Sequence, residues 1–222
     1  MVCNLIYSGK KAFTLIELLV VIAIISLLVS ILMPSLNKAK DLAKKTVCGN
    51  TMRSIGISII MYTNDYDGWI PKVRDSYSPL KDFWSDKIYN EYLPNADAFC
   101  CPSAPERVFS PNEVEGSIKI AYGLEWWLGG GANIQGKGNR LVDIENNSCT
   151  VLLGENGSLN HGYGVHNYCF PVPNASDWGW IDDNRHNGIS NILFLDTHAS
   201  SYSSDEALDP DNSNVIWFVI YY

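Results

Sequence analysis

The sequence contains no G-x-x-x-x-G-K-[ST] phosphate loop, no G-x-S-x-G elbow, no H-E-x-x-H pair and no Ser/His/Asp order. Enzymatic readings are left without a nucleophile or a cofactor cradle, and a non-enzymatic role is expected. Basic residues are scarce, 16 Lys and Arg against 24 Asp and Glu, for a formal net charge of -8. A surface that neutralises phosphates needs concentrated Lys and Arg, so nucleic acid is not expected as a partner. None of the six cysteines, Cys3, Cys48, Cys100, Cys101, Cys149 and Cys169, has the C-x-x-C spacing of a structural zinc site, whereas disulfides remain open. Up to Asp65 there is one proline, Pro34, and between Phe13 and Met33 one ionisable side chain, Glu17.

These scarcities set off two regimes. The first third is rich in Leu, Ile and Val, whereas Gly, Trp and Tyr crowd the part after Asp65, where most of the acid also lies. One folded domain plus a membrane segment accounts for the length. The 21 residues from Phe13 to Met33, at about 1.5 Å per helical residue, span a bilayer core of about 30 Å. A secretory signal has a shorter apolar region and an A-x-A-like site, which is not found near Met33. Lys10 and Lys11 precede the run while Lys38, Lys40, Lys44 and Lys45 follow it, so charge alone does not fix the orientation. An acid within an apolar helix costs a few kcal/mol unless partnered or near the interface, and no cation lies within a turn on the C-terminal side of Glu17. Beyond Pro34 an apolar stripe of Leu36, Ala39, Leu42, Ala43, Val47, Met52, Ile55, Ile59 and Ile60 continues the helix to about Tyr62, despite Gly49 and Gly56, with Asn64 to Gly68 as the stop.

Lys10-Lys11-Ala12 followed by Phe13-Thr14-Leu15-Ile16-Glu17-Leu18-Leu19-Val20-Val21 resembles the cleavage and methylation motif of type IV prepilins and type II secretion pseudopilins. The resemblance implies a leader, residues 1–12, cut after Ala12 by a prepilin peptidase, and N-methylation of Phe13. Ala12 stands where glycine is more usual. Glu17 then becomes the fifth mature residue, which in that family pairs with the N-terminal amine of a neighbouring subunit during assembly. Pro34 falls where pilins often carry a proline; it either kinks the helix or ends the membrane segment. The expected fold is α+β and pilin-like: a transmembrane and filament-core helix over 13–34, its amphipathic continuation over 35–65, and a β-rich domain over 66–222 with the helix packed on an antiparallel sheet.

Strand-like runs are Ser117–Tyr122, Thr150–Leu153, Asn191–Leu195 and Asn214–Tyr222, with long connections at Gly129–Asn139 and Asn156–Asp183. The stretch Arg185-His186-Asn187-Gly188-Ile189-Ser190-Asn191 to Asp196-Thr197-His198 resembles a late element of a pilin-like subgroup, a histidine followed after nine residues by Asp-Gly. Thr197 replaces the glycine, and a β-branched residue is poorly suited to a positive φ, which weighs against the tight hairpin turn. Phe99-Cys100-Cys101-Pro102-Ser103 is similar to the Cys-Pro-Ser segment of those proteins and Val47-Cys48 to a cysteine on their helix. That likeness implies a Cys48–Cys101 disulfide, with Cys149 and Cys169 as the residual pair; free buried cysteines are the alternative.

His161, His166, His186 and His198, with Asp196 and Glu155, offer ligand types for a metal, but in no recognised spacing; His186 and His198 read as turn and sheet residues bonded to backbone. No cofactor is expected apart from calcium, which the likeness to pseudopilins raises for Asp65–Gly68 or Asp205–Asp211, both short of a full calcium-loop pattern. The tryptophans at 126, 127, 178 and 180 offer a stacking surface or core packing. The resulting expectation is a structural filament subunit of the inner membrane, single-pass, with its domain periplasmic. Its partners would be itself, other pilin-like subunits, prepilin peptidase, membrane lipid, and an assembly platform with a cytoplasmic ATPase. The rival readings are an anchored surface adhesin using aromatic loops and, behind it, a hydrolase built on His186 and Asp196.

Overall fold

The first element is a helix of 51 residues, α1, Leu15–Asp65, whose first half is rich in Leu, Ile and Val; Ile and Val are weaker helix formers than Leu, and an apolar segment of this length favours the helix because it satisfies its own backbone groups internally. The computed structural model describes residues 13–73, 83–104, 109, 120–125, 128–130, 139–155, 168–169, 185–209 and 211–215. Ala12, His161, His166, the four loop tryptophans and the run 216–222 lie outside them. The chain divides into two units, Met1–Lys40 and Asp41–Tyr222.

In the first unit every Leu, Ile, Val and Met side chain from Leu15 to Met33 is exposed. α1 is the one helix among the described residues long and apolar enough to cross a membrane. It runs through Pro34, so the proline does not end the helix.

In the second unit α1 buries Cys48, Met52, Ile55, Ile59 and Tyr62, spaced alternately four and three residues apart. The expected stripe is corrected at its start: Leu36, Leu42 and Val47 are exposed, and burial begins at Cys48. Gly56 is a packing position, since a Cβ there would overlap Leu193 Cδ2. The helix ends three residues later than the apolar pattern indicates. Gly68 N–H donates to Thr63 O at 2.7 Å while Asp67 takes φ 53°, a six-to-one helix-ending bond around a left-handed residue.

Among the described residues five strands form one sheet in the order β3-β1-β2-β4-β5: β1 Tyr122–Glu125, β2 Val151–Glu155, β3 Tyr168–Cys169, β4 Ser190–Phe194 and β5 Ala199–Tyr202. Pairing is antiparallel except between β1 and the two-residue edge strand β3, which is parallel. The first expected strand begins later, at Tyr122, because Ala121 is a bend whose N–H is taken by Phe99 O at 2.9 Å; residues 117–119 lie outside the described set. Asn214 lies in a turn, so the last expected strand does not start there. A short helix, α2 at Trp84–Glu91, the one-turn α3 at Ser204–Leu208 and three 3-10 turns, Ala96–Phe99, Leu141–Asp143 and Arg185–Asn187, complete the elements among the described residues.

The sheet is covered on both faces. Leu124, Leu153 and Leu193 join α1 and α2 in the main core with Trp84, Ile88, Phe99 and Tyr122. Val151, Ile192 and Phe194 pack with Ala207 and Val215. Full burial explains why β2 and β4 read as continuous apolar runs rather than alternating ones.

The β4–β5 hairpin forms in spite of Thr197. Phe194 N–H donates to His198 O at 3.0 Å, Thr197 N–H to Phe194 O at 2.9 Å, and Thr197 takes φ 68°. This is a three-residue loop whose last residue is left-handed, the position that glycine normally fills. Arg53 Nε–H donates to Thr197 O at 3.3 Å, a bond from α1 that helps hold the strained residue. Thr197→Gly is therefore expected to raise stability by about 1 kcal/mol, by removing the left-handed Cβ cost. Urea unfolding midpoints of the two proteins would check this; a midpoint lowered in the glycine variant would show that the Thr197 methyl contributes more packing than the backbone loses.

Candidate functional site

Two regions carry the residues singled out by the sequence. The first is the start of α1. Thr14 precedes the helix and Glu17 is its third residue; Glu17 Oε2 accepts from Thr14 N–H at 2.9 Å and from Thr14 Oγ1 at 2.8 Å, while Glu17 N–H donates to Thr14 Oγ1 at 3.3 Å. This reciprocal arrangement is a capping box, and it gives the acid a local, uncharged partner on its N-terminal side. The T-x-x-E spacing before an apolar run was the available signal. Phe13 precedes the box and is exposed.

The second region is a buried polar cluster in the second unit. It begins at the chain's bend before β4, where His186, Asn187 and Gly188 take φ 49°, 66° and 82° in succession. Left-handed conformations at two non-glycine residues cost about 1 kcal/mol each, and the turn is held from beneath by Arg185 Nη1 donating to Ala121 O at 2.9 Å. The bend aims the His186 ring inward. Its Nε2 lies 3.0 Å from Glu155 Oε1 at the end of β2 and 3.6 Å from Cys101 Sγ, and its Nδ1 lies 3.2 Å from Ser103 Oγ. The side chains of His186 and Glu155 are fully shielded from solvent.

Asn191 locks the carboxylate from β4. Its backbone N–H donates to Glu155 Oε2 at 3.1 Å and its Nδ2 to Glu155 Oε1 at 3.0 Å. The same Nδ2 reaches Lys45 O on α1 at 3.2 Å, and Asn191 Oδ1 accepts from Ser201 Oγ at 2.7 Å. Gly49 faces Asn191, where a Cβ would make only ordinary contact, 3.8 Å from Asn191 Oδ1. Cys101 is disulfide-bonded to Cys48 of α1, which fastens the Cys-Pro-Ser segment to the helix beside His186.

Several expectations are corrected. His186 and His198 bond to carboxylates, not chiefly to backbone, because each ring is presented to an acid by a tight turn: His186 to Glu155, and His198 Nδ1 to Asp196 Oδ1 at 2.6 Å. His186 and Asp196 are therefore in separate pairs, one fully buried and one partly exposed, which removes the geometry that a hydrolase built on both requires. Cys149 is a free, half-buried thiol, so the second disulfide is not formed; Cys169 is level with Glu125 on β3, while Cys149 lies in the turn ahead of β2. Of the calcium candidates, Asp65 Oδ2 accepts from Tyr92 Oη at 2.9 Å, and Asp209 Oδ1 accepts from Asp211 N–H at 3.0 Å. Ser203 and Glu206 form a capping box on α3; hydrogen bonds from Ser203, backbone first, hold Glu206 below the usual carboxylate range.

Comparison with known families matches residues 7–33 to the prokaryotic N-terminal methylation motif. The chain carries that motif. It is pilin-like in its N-terminal signature and in its order of a long helix followed by a largely antiparallel sheet. The ComG operon protein 3 homolog of Bacillus licheniformis is 37% identical over 63 residues, which cover 28% of this chain and 65% of that relative. No solved structure matches the chain. The likeness to the known proteins thus covers the motif at residues 7–33 and a stretch of 63 residues, and the buried cluster rests on its own geometry.

Proposed function

We propose that this pilin-like chain is the structural subunit of a type IV pilus or type II secretion filament. Cleavage by prepilin peptidase after Ala12 and methylation of Phe13 would produce the mature chain. The reading is carried by one observation, the methylation motif continuous with a helix whose apolar side chains are exposed from Leu15 to Met33. Such a surface is stable in lipid and, by the same chemistry, against other copies of the helix. The helix anchors the subunit in the inner membrane with its domain in the periplasm until an assembly platform and its cytoplasmic ATPase move it into the filament. Pro34 lets the helix adapt to its neighbours there. Glu17 guides registration by pairing with the Phe13 amine of an adjacent subunit, exchanging two neutral hydrogen bonds from Thr14 for a charged partner.

The capping box dictates the choice of variant. Glu17→Ala removes both the charge and the cap, whereas Glu17→Gln keeps a capping side chain and removes only the charge. Glu17→Gln is expected to leave the chain folded and membrane-bound but to reduce its share of sheared filaments at least tenfold, measured by quantitative immunoblotting. Intact mass and N-terminal sequencing of the native protein should show methylated Phe13 as the first residue. A chain that retains Met1–Ala12, or normal filament incorporation of the glutamine variant, would favour a solitary anchored protein.

A further inference from the structure

The buried cluster holds more ligand chemistry than a disulfide alone requires. Cys48 Sγ, Cys101 Sγ, His186 Nε2 and a Glu155 oxygen all lie within 4.8 Å of one another, and all four residues are buried. We propose that when Cys48 and Cys101 are reduced these four groups form a closed site for a zinc-class divalent cation, and that the cation and the disulfide are alternative closures of one cluster.

Four features of the cluster support the assignment. The donor set of two thiolates, one imidazole and one carboxylate suits a tetrahedral borderline-soft cation and not calcium or magnesium, which require several oxygen ligands. Tetrahedral bonds of zinc length separate their ligand atoms by about 3.3–3.8 Å; Cys101 Sγ already lies 3.6 Å from His186 Nε2, and His186 Nε2 3.0 Å from Glu155 Oε1. The outer groups are also in place. Ser103 Oγ, 3.2 Å from His186 Nδ1, accepts from that nitrogen in the tautomer whose Nε2 lone pair is free for the cation, and the two Asn191 donors orient the carboxylate. The succession of left-handed residues at His186, Asn187 and Gly188 is backbone strain placed where it aims one of the four ligands.

Binding releases two protons, one from each thiol as it becomes a thiolate; the hydrogen between His186 Nε2 and Glu155 Oε1 is exchanged for one on Nδ1, toward Ser103 Oγ, so that the imidazole stays neutral as Nε2 takes the cation. Oxidation reverses this. A small-molecule or protein disulfide accepts two electrons and two protons to become two thiols, the Cys48–Cys101 bond forms from the two thiolates, and one divalent cation leaves. Charge and electrons balance, and the carboxylate and imidazole return to their hydrogen bond.

The test uses the full chain in detergent, reduced with a phosphine and titrated with cobalt(II). One cobalt per chain is expected, with thiolate-to-cobalt charge transfer and the d–d bands of a tetrahedral ion, bleached by one equivalent of zinc. The oxidised chain should show neither band. His186→Ala and Glu155→Gln, checked for retained fold by circular dichroism, should weaken cobalt binding at least tenfold, and Ser103→Ala, outside the ligand set, by about tenfold. Absence of the charge-transfer band in the reduced chain overturns the proposal, whether that chain is folded or unfolded. So do equal binding by the oxidised chain and a spectrum unchanged in both His186→Ala and Glu155→Gln.

Discussion

Replacing Cys48 and Cys101 together by alanine is expected to lower the unfolding free energy by about 4 kcal/mol. The two cysteines are 53 residues apart in sequence, so the bond closes a long loop in the unfolded chain and removes a correspondingly large share of its entropy. In the native state it ties α1 to the segment that carries Ser103, which touches His186. Chemical reduction in the presence of a chelator should reproduce the same loss in the unmodified chain. Rearrangement with the adjacent thiol is disfavoured: burial pushes the Cys100 thiol up, which keeps it protonated and slow to attack. The measurement is a urea titration of oxidised, reduced and double-alanine proteins under one detergent condition. A difference below about 1 kcal/mol would mean that the unfolded chain is already compact around this loop, so that the cross-link restricts little.

What the sequence revealed follows from how local each signal is. α1 was legible through its composition, its 3.6-residue period and its Asn64–Gly68 stop, all of which act within a few turns. Its inner face was misplaced at Val47 because only tertiary contact distinguishes Val47 from Cys48, and the disulfide turns Cys48 inward. β2 and β4 were found as short apolar runs, but β5, with the sequence Ala-Ser-Ser-Tyr, has no such run and is a strand because it pairs with β4. The capping box at Thr14 and Glu17 is local too, and its T-x-x-E spacing makes it readable in the sequence. His186 was singled out, whereas its pairing was not, because Glu155 is 31 residues away and meets it through the β2–β4 register. The likeness to pilin-like proteins supplied Cys48 with Cys101, a pairing that no local rule would have selected among six cysteines. The hairpin at Thr197 shows the opposite case: local chemistry opposed the turn, and the hydrogen bonds of β4 and β5, together with that from Arg53, outweighed it.

Glu155→Ala is expected to cost about 3–5 kcal/mol, comparable with the loss of the disulfide, because it breaks a buried pair from one side and leaves its partners unsatisfied. Glu155 accepts three hydrogen bonds through its two oxygens, from Asn191 N–H, Asn191 Nδ2 and, in the protonated tautomer, His186 Nε2. With the side chain cut at Cβ, Asn191 N–H and His186 Nε2 lose their carboxylate partner in a site closed to solvent. The Asn191 amide would keep Lys45 O, so the helix contact weakens without disappearing. Glu155→Gln should cost less, about 1–2 kcal/mol: the amide oxygen can still accept from Asn191 N–H, but its NH2 then faces the Asn191 Nδ2 donor. Asp143, exposed at the end of a short turn, is the matched control, and Asp143→Ala should fall within about 0.5 kcal/mol of the unmodified protein. The same urea titration measures all three. A Glu155→Ala loss near that of the control would mean that water enters the cluster and replaces the carboxylate, and α1 would then be held by the disulfide to the Cys101 segment and by Asn191 to β4 without help from Glu155.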